Sequence, residues 1–161
     1  MASLEDIKKV ISKIPDPEIP VISIEELGVL RNIFYEEDSL KIVITPTYSG
    51  CPAMDRFQKD IIEKLEHLKV KNYEIKMQFD PAWTTDWITE EAKEKLRDYG
   101  IAPPAHKTKD KNILLGNKQR IECPMCKTKE TELVSQFGST ACKAMYRCTS
   151  CLEPFEYFKC L

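Results

Sequence analysis

Thr45-Pro-Thr-Tyr-Ser-Gly-Cys-Pro-Ala-Met54 is the point at which a β-type run, Leu40 to Thr45, stops and a helical pattern begins. Pro46 and Pro52 punctuate the loop, and Gly50 can carry the backbone into left-handed space. Cys51 falls where the chain enters the next helix, so its thiol meets unpaired backbone N–H groups and the positive end of a helix dipole, both of which favour a thiolate. A strand delivering a polar, cysteine-bearing loop into a helix points to an α/β (α+β) fold with its chemistry at that junction. The alternative role for Cys51 is that of a small buried hydrophobe.

Working outward, Val29–Tyr35 and Leu40–Thr45 read as a β-hairpin around the polar Glu36-Glu-Asp-Ser39. Met54, Phe57, Ile61, Leu65 and Leu68 recur at helical spacing, predicting an amphipathic helix over 53–68. Tyr73, Ile75, Met77 and Phe79 alternate with polar residues, a strand signature. Upstream, Leu4, Ile7, Val10, Ile11 and Ile14 predict a helix over 4–14, with Ser3 and Asp6 as its N-terminal capping pair. Pro15, Pro17 and Pro20 forbid its continuation and leave a rigid segment carrying Asp16 and Glu18. Those carboxylates either serve turn chemistry or face the Cys51 loop. Downstream, Trp83 and Trp87 lead into a helix with Thr89 as N-cap and Gly100 as terminator.

The chain of 161 residues with net charge −2 fits a medium domain plus a small appendage, and nothing in it marks a nucleic-acid binder. No apolar run approaches the ~20 residues a membrane span needs. The N-terminus lacks the basic-then-apolar layout of a secretory signal, so a cytoplasmic location is expected. Seven cysteines in a reducing compartment point to metal or thiol chemistry rather than disulfides. Their crowding near the C-terminus divides the chain into residues 1–105, a basic linker 106–120, and a tail 121–161.

In that tail Cys123-Pro-Met-Cys126 and Cys148-Thr-Ser-Cys151 form two C-x-x-C turns, twenty-one residues apart. Each turn points two thiolates at one spot, and together they make the tetrahedral sulfur cage of a structural zinc, or of iron in the same site. Short strands at Leu133–Phe137, Ala144–Cys148 and Pro154–Phe158 complete a zinc ribbon too small to hold itself by its core, so the metal supplies the folding free energy. Cys142 and Cys160 are surplus to four ligands: buried thiols, additional ligands, or reactive groups.

Asp16-Pro-Glu-Ile-Pro20, Glu26-Leu-Gly-Val-Leu30, the Thr45–Met54 loop and Asp80-Pro-Ala-Trp-Thr-Thr-Asp-Trp87 resemble the metal–sulfur cluster biosynthesis family. The tail with Glu153-Pro-Phe-Glu-Tyr-Phe-Lys-Cys160 is similar to the phenylacetate-degradation branch of that family. The resemblance implies a small mixed sheet with helices followed by a C-terminal zinc ribbon. It also implies work in maturing a multicomponent oxygenase, the diiron enzyme that epoxidises phenylacetyl-CoA, rather than catalysis. Cys51 matches the family's signature cysteine, proposed to hold or hand over an iron–sulfur cluster or iron; Asp16 and Glu18 match its acidic motif, and Thr45 and Thr47 belong to the same loop. Partners implied are oxygenase subunits or other iron–sulfur proteins. A single Cys51 cannot satisfy a cluster, so a homodimer pairing two loops, small thiols, or Cys142 and Cys160 would complete it. Competing readings are a non-catalytic adaptor docking onto the oxygenase complex and a thiol enzyme using Cys51, for which only His67 and His106 exist as bases.

Overall fold

A reciprocal capping box starts the chain: the Ser3 hydroxyl accepts the Asp6 N–H while the Asp6 carboxylate takes the Ser3 N–H. In the computed structural model, which describes residues 2–104 and 120–159, helix α1 runs Leu4–Ile11. It is shorter than the sequence pattern suggests, because Pro15 pushes the residue before it out of the helical region. Ile14 is nevertheless buried with Ile7 and Ile11.

Strands β1 (Leu30–Glu36) and β2 (Ser39–Ile44) form the expected hairpin, tightened to a Glu37-Asp38 turn in which Glu37 takes φ 54°. Helix α2 (Ala53–His67) follows the cysteine loop and buries Met54, Phe57, Ile61 and Leu65. Strand β3 (Tyr73–Met77) then returns parallel to β2, giving the mixed sheet order β1-β2-β3. Leu40, Ile42 and Ile44 of the central strand are fully buried. Each such side chain contributes about 1.5–3 kcal/mol over an exposed one, which makes β2 the anchor of this half. The alternating apolar residues of β3 are only partly covered, because β3 is an edge strand. Trp83 is buried and its indole N–H donates to the Leu27 carbonyl at 2.9 Å, fixing the end of this first compact unit, residues 1–83.

The second unit is residues 84–161. A single 3-10 turn (Thr85–Trp87) precedes α3 (Glu90–Tyr99), whose N-cap hydroxyl, from Thr89, accepts the Ala92 N–H. Gly100, at φ 94°, ends the helix in the left-handed conformation that glycine adopts most readily. Strand β4 (Ile101–Ala102) follows at once and pairs parallel with β7 (Pro154–Phe158). With β5 (Thr131–Ser135) and β6 (Lys143–Cys148) this makes a four-stranded sheet in the order β4-β7-β6-β5. The boundary between units thus lies before α3, whereas the sequence composition placed residues 84–105 with the first domain. Most of the 106–120 linker and Cys160 lie outside the described residues. The ribbon's core is small and partly sulfur: Ala102, Ile121, Cys123, Ala144, Tyr146, Cys148, Phe155 and Tyr157. Tyr146 stacks on Phe155 and meets Tyr157 edge-on at centroid distances of 6.0 and 5.7 Å. No described helix is long and apolar enough to cross a membrane.

Candidate functional site

The two C-x-x-C turns converge. Cys123, Cys126, Cys148 and Cys151 bring their sulfurs within 4.8 Å of one another, the only group of three or more metal-ligating side chains among the described residues. Cys123 Sγ lies 3.8 Å from Cys151 Sγ, and Cys126 Sγ 3.6 Å from Cys148 Sγ. A tetrahedral ion with metal–sulfur bonds of about 2.3 Å sets its ligands about 3.8 Å apart, close to the two sulfur–sulfur distances seen here, so the donor set suits zinc or iron. Each turn is followed by a residue in left-handed conformation, Lys127 at φ 66° and Leu152 at φ 67°. These positions bend the chain after each cysteine pair, and the usual sequence signal, a glycine, is missing at both. Lys127 compensates by donating its ammonium to the Pro124 carbonyl at 2.9 Å.

The cage is electrostatically incomplete without a cation. Burial works against the Cys148 thiolate, but the backbone N–H groups of Cys151 and Ser150 outweigh it and bring the thiol down to about 7. Cys151 receives the Glu153 N–H, yet burial and the three neighbouring sulfurs push it up to about 12. Four crowded sulfurs therefore cannot all be thiolates unless a metal neutralises them.

Cys142 stands outside this group. It is buried, with its sulfur 3.0 Å from the Thr140 hydroxyl. Beside it, sequence reasoning missed a pair that organises the loop between β5 and β6. The Lys143 ammonium, its side chain 3 % exposed, lies 3.0 Å from the Glu156 carboxylate, which also accepts the Ser139 N–H at 2.6 Å. Burial opposes ionisation of Glu156, but the Ser139 and Lys143 donors prevail and hold its carboxyl below the ordinary range. The fit is close: a Cβ on Gly138 would come 2.5 Å from Glu156 Oε1.

In the first unit the cysteine loop has a different character. Cys51 is half-buried, two residues ahead of α2, and its carbonyl accepts the Met54 N–H at 3.2 Å. The Thr47 hydroxyl donates to Cys51 Sγ at 3.6 Å, so the structure brings these two predicted residues together. Thr45 is buried at the start of the loop, and its hydroxyl has no partner among the described residues. Asp16 is also buried: one oxygen accepts the N–H groups of Glu18 and Ile19, both at 2.8 Å. Glu18 itself is exposed. A reciprocal pair, Ser23 with Glu26, shapes the next turn. Cys51 is the only cysteine in residues 1–83.

Comparison with known proteins gives both halves a context. A family model described as "Iron-sulfur cluster assembly protein" matches residues 4–77, and one described as "PaaD zinc beta ribbon domain" matches residues 107–159. The chain is 46% identical over 158 residues to an Escherichia coli (strain K12) protein named as a putative component of 1,2-phenylacetyl-CoA epoxidase, covering 98% of this chain and 93% of that one. It is 36% identical over 94 residues to an "Fe-S protein maturation auxiliary factor" of Porphyromonas gingivalis, covering 57% of this chain and 89% of that one. The first unit's fold is also that of a domain of unknown function, DUF59, from Bacillus anthracis: TM-score 0.52, 23% identity, covering 58% of this chain and 90% of that one.

Proposed function

The chain belongs to the iron–sulfur cluster assembly protein family, with a PaaD-type ribbon appended, and from that premise we propose that it is a non-catalytic factor that takes up iron or an iron–sulfur cluster at Cys51 and passes it on. The recipient is a multicomponent oxygenase of the phenylacetyl-CoA epoxidase type, a reading supported by the Escherichia coli relative that matches nearly the whole chain and is named for that enzyme. The factor works in the cytoplasm, where its thiols stay reduced.

The observation that carries this reading is the half-buried Cys51, alone in its unit and touched by the Thr47 hydroxyl. A cargo meant to leave is held by few protein ligands at an accessible site, and one sulfur meets that requirement. The Thr47 donor offsets charge on the sulfur, Asp16 fixes the turn bearing Glu18, and Glu18 supplies an exposed carboxylate to a hard iron ion. Thr45 adds a buried hydroxyl free to orient the loop or a bound ligand. The ribbon holds zinc as a structural ion: four thiolates saturate it and leave no open position for chemistry. A thiol-enzyme role finds little support, since His67 is solvent-exposed on α2 and lies 3.8 Å from Glu63.

Anaerobic reconstitution with iron and sulfide, followed by transfer to an apo acceptor, tests the proposal in wild type and Cys51→Ser. Loss of uptake and transfer in the variant is expected; equal performance would remove Cys51 from the role. A second reading, an adaptor docking on the oxygenase, is favoured by the ribbon's exposed Met125, Val134, Phe137 and Leu152. Capture of oxygenase subunits undiminished by Cys51→Ser but lost with Phe137→Ser would support it.

A further inference from the structure

The two outer strands of the first sheet are treated differently. β1 carries a register shift between Leu30 and Asn32, and the Asn32 side chain accepts the Ile33 N–H. Such irregularity discourages further pairing. β3 has no proline and no bulge, and it pairs in unbroken register with β2.

Its open edge can be read from two hydrogen bonds. Leu40 N–H donates to the Asn72 carbonyl, and Gln78 N–H donates to the Ile44 carbonyl. Residues 72 and 78 therefore turn their backbone groups toward β2, and strand alternation gives 74 and 76 the same direction. Tyr73, Ile75 and Met77 turn theirs outward, to an edge that no described strand occupies. Their side chains share a face with Leu40, Ile42 and Ile44, yet Tyr73 and Ile75 are only half-buried and Met77 is 37 % exposed. On the opposite face stand Glu74 and Lys76, with side chains 50 % and 43 % exposed.

We propose that a second copy of this chain occupies that edge through an antiparallel β3–β3 pair centred on Ile75. In this register Ile75 meets its own counterpart, Tyr73 meets Met77, and Glu74 meets Lys76, each of the last two pairs twice about a two-fold axis. All three outward-facing residues fall opposite one another as hydrogen-bonded pairs, joining the sheets into one of six strands. Sliding the pair by two residues either way sets Glu74 against Glu74 or Lys76 against Lys76. Like charges placed directly opposite repel, so the pattern selects the centred register. A lysine on an edge strand ordinarily discourages pairing, but Glu74, which also holds Lys41 of its own chain at 2.6 Å, supplies a complement across the pair. The occupant is thus a strand with this same sequence, and continuous burial of Tyr73, Ile75 and Met77 completes a face now left half-covered.

Pairing in this sense also places the cysteine loops. β2 runs parallel to β3 and delivers its loop at its carboxyl end. In an antiparallel pair the two Cys51 loops leave from opposite ends of the six-stranded sheet, so the dimer does not pool its two thiols, and each copy needs outside ligands for a cargo.

The test uses the full chain with its metal in place. Light scattering and sedimentation across about 1 to 200 µM should give a dimer for wild type. Lys76→Glu and Glu74→Lys should each remain folded by circular dichroism and each raise the dimer dissociation constant roughly tenfold or more. Mixing the two variants should restore a dimer, because each then meets the opposite charge. A wild-type monomer throughout, a dimer indifferent to both substitutions, or a mixture that stays monomeric would overturn the proposal. This readout is independent of cluster uptake, so it stands or falls apart from the role assigned to Cys51.

Discussion

Four sulfurs converge on one point in the ribbon, whereas a single sulfur stands on the strand-to-helix loop of residues 1–83. The ribbon's ligands come from two turns separated by two strands, β5 and β6, so a metal ion there closes a loop of the chain and its affinity is spent on folding. Cys51 closes nothing. It follows a strand already anchored by Leu40, Ile42 and Ile44. On the proposed reading, one site retains its metal because the fold depends on it, and the other can release its cargo because the fold does not.

The largest expected effect therefore falls on the ribbon. Cys126→Ser should abolish tight metal binding and unfold residues 120–159, measured by metal content and hydrogen exchange, while residues 2–83 stay protected. A native-like tail without metal would erase the contrast between the halves. Next in size is Glu156→Ala, which leaves the buried Lys143 ammonium without its carboxylate; about 3 kcal/mol of ribbon stability should be lost in denaturant titration with metal bound. In the first unit, Asp16→Ala strips the acceptor from two backbone N–H groups and should cost about 1–2 kcal/mol, with Asp16→Asn recovering part of it.

Acidity gives a finer comparison. Metal displaces protons from the cage, so its apparent affinity must rise with pH. Cys151, pushed up to about 12, surrenders a proton throughout the neutral range, and Cys148 adds a further one below about 7. A competition titration should show affinity falling more steeply with decreasing pH below 7 than above it.

The sequence made much of this legible, for identifiable reasons. The cysteine turns announce themselves because metal geometry fixes their spacing, and α2 does so because its core contacts repeat every turn. The membership of residues 84–104 was not visible, since it depends on β4, two residues long, meeting β7 across most of the ribbon's length. Nothing in the sequence sets Lys143 and Glu156 apart; only folding shows that they share one buried corner. The bends after each cysteine turn were hidden because Lys127 and Leu152 occupy positions where glycine would have declared them. Among predicted site residues, Cys51 and Thr47 meet as neighbours in a loop should. For Asp16, both turn chemistry and cargo binding were open, and its two backbone bonds show the first.

The division between a retained and a released metal is tested most directly by challenging the iron- and sulfide-loaded protein with a strong chelator and following metal loss over time, in wild type and in Cys51→Ser. Two pools are expected in wild type: one lost quickly and missing from the variant, and one ion per chain held by the ribbon and released only as it unfolds. A single pool with the same size and rate in both proteins would contradict the account.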